Sequence, residues 1–230
     1  MAIELIVFDL AGTTVKDDRD VHRALQKALL KFDIEISLDD ANAVMGIPKP
    51  VAIRKLIKTC YRGNVALAED WIPEIHSQFV NEMIEFYRAD PTVEEKQGVT
   101  DTFRKLKQNN LKVAIDTGFD RQITESIFER LGWQKAHLID ASATSDEVVR
   151  GRPYPDLIFR VMELTHVTDS RRVAKVGDTA SDLQEGNSAG CGWVIGVTTG
   201  AYSKTELQRE KHTHLIENVH ELLEIFNLNV

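Results

Sequence analysis

The chain has 230 residues, of which 43% are hydrophobic and 28% charged, with a formal net charge of −8. That length allows one large domain or a core with a smaller companion, and the composition is ordinary for a soluble globular enzyme. The acidic balance argues against a nucleic-acid or anionic-membrane surface, where a basic patch is expected. It leaves room for a small phosphorylated metabolite held locally by a metal ion and a few cations. Cys60 and Cys191 are the only cysteines. They fit no metal spacing and read as reduced, mostly buried thiols of a cytoplasmic protein. Glu4 and Asp9 interrupt the N-terminal apolar run, and no basic segment precedes it, so no secretory signal is apparent. No apolar stretch is long enough to span a bilayer.

In chain order, Leu5-Ile6-Val7-Phe8 reads as a buried parallel strand that ends at one carboxylate, Asp9. Asp17 to Asp20 form a charged helix start, followed by Val21, Ala24, Leu25, Ala28 and Leu29 at helical spacing. Ser37 to Asp40 resemble a helix cap. Met45-Gly-Ile-Pro-Lys-Pro50 breaks the pattern, and Pro50 can open a helix carrying Ala52, Ile53, Leu56 and Ile57 on one face. A long helical pattern covers about Ala66 to Tyr87. Glu94-Glu95-Lys96 reads as a solvated hinge.

From Gly98 onward strands alternate with helices. The expected strands are Lys112 to Asp116, His137 to Asp140, Arg172 to Val176, Trp193 to Val197, and a short piece at Leu215-Ile216. The expected helices cover Val99 to Gln108, Arg121 to Leu131, Tyr154 to Leu164, and a segment ending near Ala189. Such alternation means βαβ units and a parallel sheet, an α/β doubly wound fold. Residues 1–16 and 96–230 are expected to form this core, with residues 17–95 an inserted all-helical cap.

Strand ends then carry Asp9, Thr117-Gly118, and Asp178 with Asp182, and Gly151-Arg152-Pro153 supplies a fourth polar loop. In a parallel sheet the carboxyl ends face one way, so these groups can share a crevice. Two or three carboxylates make a hard oxygen site suited to Mg²⁺. A threonine hydroxyl, the Gly118 amide and a guanidinium can hold phosphoryl oxygens. A carboxylate beside a metal-bound phosphorus can attack it. Each group also has a plain reading: Asp9 and Asp178 as turn residues, Thr117 as a helix cap, Arg152 as a surface residue. Trp71 and Trp133 read as packing residues and Trp193 as buried. His22 reads as partly exposed, and His76 and His137 as structural or surface residues.

FDLAGTT, DTG, GRPYP and GDTASD, in this order, resemble the haloacid dehalogenase-like hydrolases with an inserted helical cap. The resemblance implies Asp9 as nucleophile, Thr117, Gly118 and Arg152 around the phosphate, and Asp178 with Asp182 as Mg²⁺ ligands. Phosphatases of this superfamily carry a second Asp two residues after the nucleophile. Here Ala11 stands there; its backbone carbonyl could still bind the metal, but it transfers no proton. A general acid contributes ~10²–10⁴-fold, so ester cleavage is disfavoured unless another group substitutes.

The branch typified by phosphonoacetaldehyde hydrolases resembles this chain in the same Ala, in GRPxP, and in an MGxxK cap segment, here Met45, Gly46 and Lys49. In that branch the lysine forms a Schiff base with the substrate aldehyde, an electron sink that lets carbon leave phosphorus. A solvated cap lysine is the plain alternative. That branch also has a histidine three residues after the lysine, where this chain has Ala52. Three functions therefore stand as expectations. These are a phosphonatase-like hydrolase, a phosphomonoesterase of a small metabolite, and a binding protein that keeps the fold without turnover. A homodimer through the cap is expected from the resemblance alone.

Overall fold

The computed structural model describes residues 2–228; Met1, Asn229 and Val230, at the ends of the expected core, lie outside the described residues. Six strands form one parallel sheet: β1 (Leu5–Phe8), β2 (Lys112–Thr117), β3 (Ala141–Thr144), β4 (Val173–Gly177), β5 (Trp193–Val197) and β6 (His214–Ile216). Their spatial order is β3-β2-β1-β4-β5-β6. The first strand is central, with Val7 facing Ala114 on one side and Lys175 on the other. All four β1 residues are buried, as an unbroken apolar run with neighbours on both edges requires.

The segment inserted after β1, residues 17–95, holds five α-helices among the described residues: α1 (Asp20–Leu30), α2 (Leu38–Asn42), α3 (Lys49–Cys60), α4 (Val65–Ala68) and α5 (Ile72–Ala89). The Ser37–Asp40 capping box that starts α2 is formed. The single helix expected from Ala66 to Tyr87 is instead α4, a 3-10 turn at Glu69–Trp71, and then α5. Pro73 in the first turn of α5 explains the restart, because proline suits a helix beginning and breaks a helix interior. No strand occurs in this segment among the described residues.

The remaining helices follow the alternation: α6 (Val99–Gln108), α7 (Arg121–Leu131), α8 (Asp156–Leu164), α9 (Ala180–Ala189), α10 (Lys204–Leu207) and α11 (Leu222–Ile225). Period two divides the sheet into two faces. Ile6 and Phe8 pack with Phe103 of α6 and Ile123 and Ile127 of α7, in a cluster continuous with Leu25, Ile53, Phe79 and Tyr87 of the inserted helices. Leu5 and Val7 pack with Leu157, Ile158 and Val161 of α8. Trp133 is buried against Phe103 and Phe128, its indole N–H hydrogen-bonded to Glu95.

Several expectations are corrected. The third strand is Ala141–Thr144, not His137 to Asp140; His137 is an exposed turn residue with φ 51. Glu94 of the expected solvated run is exposed, while Lys96 is half-buried and tied down. Its amine donates to the Gly12 carbonyl at 2.8 Å and to Thr199, and its backbone pairs with Thr14 while Lys16 pairs with Glu94. The two connections to the inserted helices thus run side by side as a short antiparallel ladder. His22 is buried and bonded to Asn42 at 3.0 Å. Cys60, Cys191, Trp71 and Trp193 are half-buried. Among the described residues no helix is long and apolar enough to cross a membrane.

Candidate active site

The carboxyl ends of β1, β2 and β4 face one cavity of about 40 Å³. Its lining includes Asp9, Ala11, Thr117, Gly118, Arg152 and Asp178 from the sheet side, and Asp17, Met45, Gly46 and Lys49 from the inserted segment. The expected residues therefore converge, except that Asp182 sits behind the lining. Asp182 is the third residue of the capping box that starts α9; its Oδ2 accepts from the Thr179 hydroxyl at 2.6 Å.

Thr14 fixes the Asp9 carbonyl at 2.8 Å, and the Asp9 carboxylate accepts from Arg152 Nη1 at 2.7 Å. Burial pushes the Asp9 carboxyl up to about 6, against the pull of Arg152 and with the help of Asp182. Asp178 is held by the Thr13 hydroxyl at 2.8 Å and the Ala201 N–H at 2.6 Å. Burial, then Asp9 and Asp182, push it up to about 8. The Thr117 hydroxyl accepts from the Phe119 N–H at 3.2 Å, which leaves its own proton to donate into the cavity.

Arg152 does more than wait for an anion. Besides Asp9 it contacts Asp116 at 2.5 Å, Asp182 at 2.9 Å and Glu185 at 3.0 Å. Lys175 lies on the same side of the sheet as Asp116, contacts that carboxylate, and reaches Asp182 and Glu185 at 3.1 Å each. Lys175, Asp116 and Glu185 escaped the sequence reading. The available signal was a lysine in the middle of a strand that is otherwise apolar and central, where an unpaired charge is not tolerated.

The buried carboxylates Asp9, Asp116, Asp178, Asp182 and Glu185 outnumber the two cations in contact with them. Asp182 Oδ1, though close to both cations, completes no hydrogen bond, and neither do Asp116 Oδ2 and Glu185 Oε1. Such an excess of negative charge fits an additional cation. Asp9, Asp178 and Asp182 bring one oxygen each within 4.8 Å of one another, and so do Asp116, Asp182 and Glu185. The second group already holds Arg152 and Lys175. The first borders the cavity, and its hard oxygens suit a divalent ion.

Lys49 opens α3 and is 3% exposed. Its Nζ lies 5.6 Å from the Phe79 ring centre and 5.5 Å from that of Phe119, with no hydrogen bond or ion pair among the described residues. Burial lowers its amine to about 8, the nearby charges of Asp9 and Asp17 opposing. It is not the solvated lysine of the plain reading. Phe79 comes from α5 and Phe119 from the loop after β2, two contributors that spacing around Lys49 did not reveal.

The segment carrying Lys49 meets the sheet side at glycines. A Cβ on Gly118 would stand 3.2 Å from the Ile47 carbonyl oxygen, and one on Gly151 would stand 2.3 Å from Pro48 Cγ. Gly46, at φ +79, would place a Cβ 2.3 Å from Thr179 Oγ1. Met45 to Lys49 can approach the loops after β2, β3 and β4 this closely only because those side chains are missing. His76 of α5 adds a contact to Asp120 at 3.3 Å.

A family model described as Haloacid dehalogenase-like hydrolase matches residues 6–197. A phosphonoacetaldehyde hydrolase of Bacillus cereus (strain G9842) is 30% identical over 217 residues, 87% of this chain and 78% of that protein. The one from Bacillus mycoides (strain KBAB4) is 32% identical over 215 residues, again 87% and 78%. A phosphonoacetaldehyde hydrolase-like protein of Oleispira antarctica superposes with a TM-score of 0.85 at 20% identity, over 99% of this chain and 92% of that one. A putative phosphoglycolate phosphatase of Lactobacillus plantarum gives 0.81 at 18%, over 98% and 100%. The last two likenesses carry the fold alone.

Proposed function

Because the chain belongs to the haloacid dehalogenase-like hydrolases, we propose that it cleaves the carbon–phosphorus bond of a small phosphonate aldehyde of the phosphonoacetaldehyde type. The observation that carries this reading is the Lys49 amine. It is buried against Phe79 and Phe119 without a counter-ion and opens on the same cavity as Asp9. An amine lowered to about 8 is in part neutral near physiological pH, as attack on an aldehyde requires. The names of the bacterial relatives point the same way.

In this reading Lys49 condenses with the aldehyde, and the iminium draws electrons as the carbon–phosphorus bond breaks. Asp9 takes the phosphoryl group as an acyl phosphate, which water then hydrolyses. Arg152 holds the Asp9 carboxylate through Nη1 and, lining the same cavity, offers positive charge to the phosphoryl group. The Thr117 hydroxyl and the Gly118 N–H bind phosphoryl oxygens. Asp9, Asp178, Asp182 and the Ala11 carbonyl would hold Mg²⁺, which supplies positive charge opposite the phosphoryl oxygens when bound. Residues 17–95 act as a cap turning on the paired connections near residues 16 and 95; a cavity of about 40 Å³ admits a substrate only when that cap lifts.

Borohydride reduction in the presence of phosphonoacetaldehyde is the test. It should trap an adduct on Lys49, and Lys49→Ala should lose both the adduct and phosphate release. Full activity in Lys49→Ala would sink the Schiff-base step. A phosphomonoesterase is the second reading, favoured by the buried Ala52, which leaves no imidazole one turn along α3 from Lys49. It predicts Mg²⁺-dependent phosphate release from esters and no adduct.

A further inference from the structure

We infer that Asp17 is the acid–base group for the chemistry at Lys49, passing protons between its amine and the carbonyl oxygen of the aldehyde. The inference deepens the phosphonate reading and rests on it. Two positions where a proton carrier would be expected hold alanine: Ala11 beside the nucleophile and Ala52 one turn after Lys49. Among the residues lining the cavity, the carboxylates are Asp9, Asp17 and Asp178. Asp9 is committed as the nucleophile of the phosphonate reading, and both oxygens of Asp178 are engaged, by Thr13 and Ala201. Asp17 remains, and it enters from the side that carries Lys49.

Its geometry suits the task. Asp17 Oδ1 accepts from the N–H groups of Asp20 at 2.7 Å and Val21 at 3.3 Å, which caps α1 and fixes the carboxylate. Oδ2 makes no hydrogen bond among the described residues. The charged and titratable groups that act on Asp17 are Asp20 and His22 of α1, Lys49 of α3 and Tyr87 of α5. His22 is engaged with Asn42 through Nε2, and Tyr87 is buried with its hydroxyl raised well above the ordinary range, chiefly by burial. Lys49 is therefore the natural proton partner; no ion pair joins the two groups, so the proton passes through one intervening water. Burial also lifts Asp17 above the usual carboxylate range, toward a group that can both take and give a proton.

The protons balance within the pair. Asp17 carboxylate takes one proton from the Lys49 ammonium. The neutral amine adds to the carbonyl carbon, forming the C–N bond and breaking the C–O π bond. Asp17 relays a second proton from nitrogen to oxygen, giving the carbinolamine. It then donates the proton it first took, the hydroxyl leaves as water, and the nitrogen lone pair completes the iminium. The three ammonium protons end as one N–H and the two hydrogens of water, and Asp17 returns to carboxylate. After the carbon–phosphorus bond has broken the adduct is an enamine; its terminal carbon takes one proton from solvent to restore an iminium, and the reverse sequence then adds water and releases the product aldehyde.

Asp17→Asn and Asp17→Ser each keep an oxygen able to cap α1 while removing the proton carrier. Cyanoborohydride with phosphonoacetaldehyde, read by mass spectrometry, follows the rate of adduct formation on Lys49. Both variants should fall at least ~10²-fold in that rate, with thermal unfolding and inorganic phosphate affinity close to wild type. Asp17→Glu, which restores a carboxyl group, should recover part of it. Adduct formation at the wild-type rate in either folded variant overturns the inference and leaves the phosphonate reading standing. A wild-type protein that forms no adduct yet releases phosphate from esters overturns both.

Discussion

The Lys49 amine faces the Phe119 ring at 5.5 Å, so the residue after Gly118, the glycine proposed to bind phosphate, also forms one wall of the amine's pocket. Phe119 thereby couples two halves of the proposed chemistry, the phosphoryl cradle at Thr117-Gly118 and the amine above it. It acts on the amine by excluding water, not by supplying a charge, apart from a modest cation–π attraction.

The first prediction follows from that pocket. The Lys49 amine sits at about 8 against an ordinary 10.5, so the neutral fraction rises steeply as pH approaches 8. Below saturation, turnover of phosphonoacetaldehyde should rise with pH along a limb of apparent pKa near 8. Phe119→Ser, which admits water, should move the limb upward and reduce activity at neutral pH. For stability the sign is fixed by linkage: between about 8 and 10.5 the unfolded chain binds the extra proton, so this group contributes increasing stability as pH rises through that window. Lys49→Met should be more stable than wild type at pH 7, and the difference should shrink by pH 10 in urea titrations.

A second concerns the acidic cluster. Mg²⁺ at about 100 times its dissociation constant should stabilise the fold by ~2.7 kcal/mol, which for a chain of this size raises the melting temperature by roughly 5–10 °C. Asp178→Asn should abolish most of that rise. A melting temperature insensitive to Mg²⁺ would remove the cation from Asp9, Asp178 and Asp182.

Gly151→Ala tests the seam. Its Cβ would fall 2.3 Å from Pro48 Cγ, and the backbone there needs no positive φ, so the cost is confined to the approach of the Lys49 segment. Displacement of a reacting group by about 1 Å can lower rates ~10²-fold. We expect a loss of that order in kcat with a nearly unchanged melting temperature. Equal losses in both would assign Gly151 to folding instead.

Lys175→Met leaves Asp116, Asp182 and Glu185 with Arg152 as their only cation in contact among the described residues. Removing one partner of a buried ionic group typically costs about 3–5 kcal/mol. Urea midpoints should report a loss of this size. Adding Asp116→Asn should give back part of it, because the two residues share one interaction.

The fold was legible where burial imposes a period. β1 and β5 are continuous apolar runs, and α6 and α7 carry regular stripes, so their limits agree with the sequence reading to within a residue. β3 was misplaced because Ala141-Ser-Ala-Thr144 carries small and polar side chains at a sheet edge, while the apolar letters of His137-Leu-Ile belong to the preceding turn. In the candidate site, the convergence of loop residues was visible because they interrupt apolar strands. The charges beneath them were not, because Lys175, Asp116 and Glu185 lie within regular elements, and only the third dimension joins them. The solvated reading of the Glu94–Lys96 run holds for Glu94 and is incomplete for Lys96, which reads as a surface residue until Gly12 and Thr199 are placed beside it.

The seam at Gly46, Gly118 and Gly151 has an evolutionary consequence. Its fit rests on three missing Cβ atoms and on Pro48 and Thr179, so it asks little of the other side chains that the helical insert directs inward. Those can drift toward new substrates while docking stays intact, provided the three glycines remain. A lineage built this way can diversify its chemistry without renegotiating how its two halves meet.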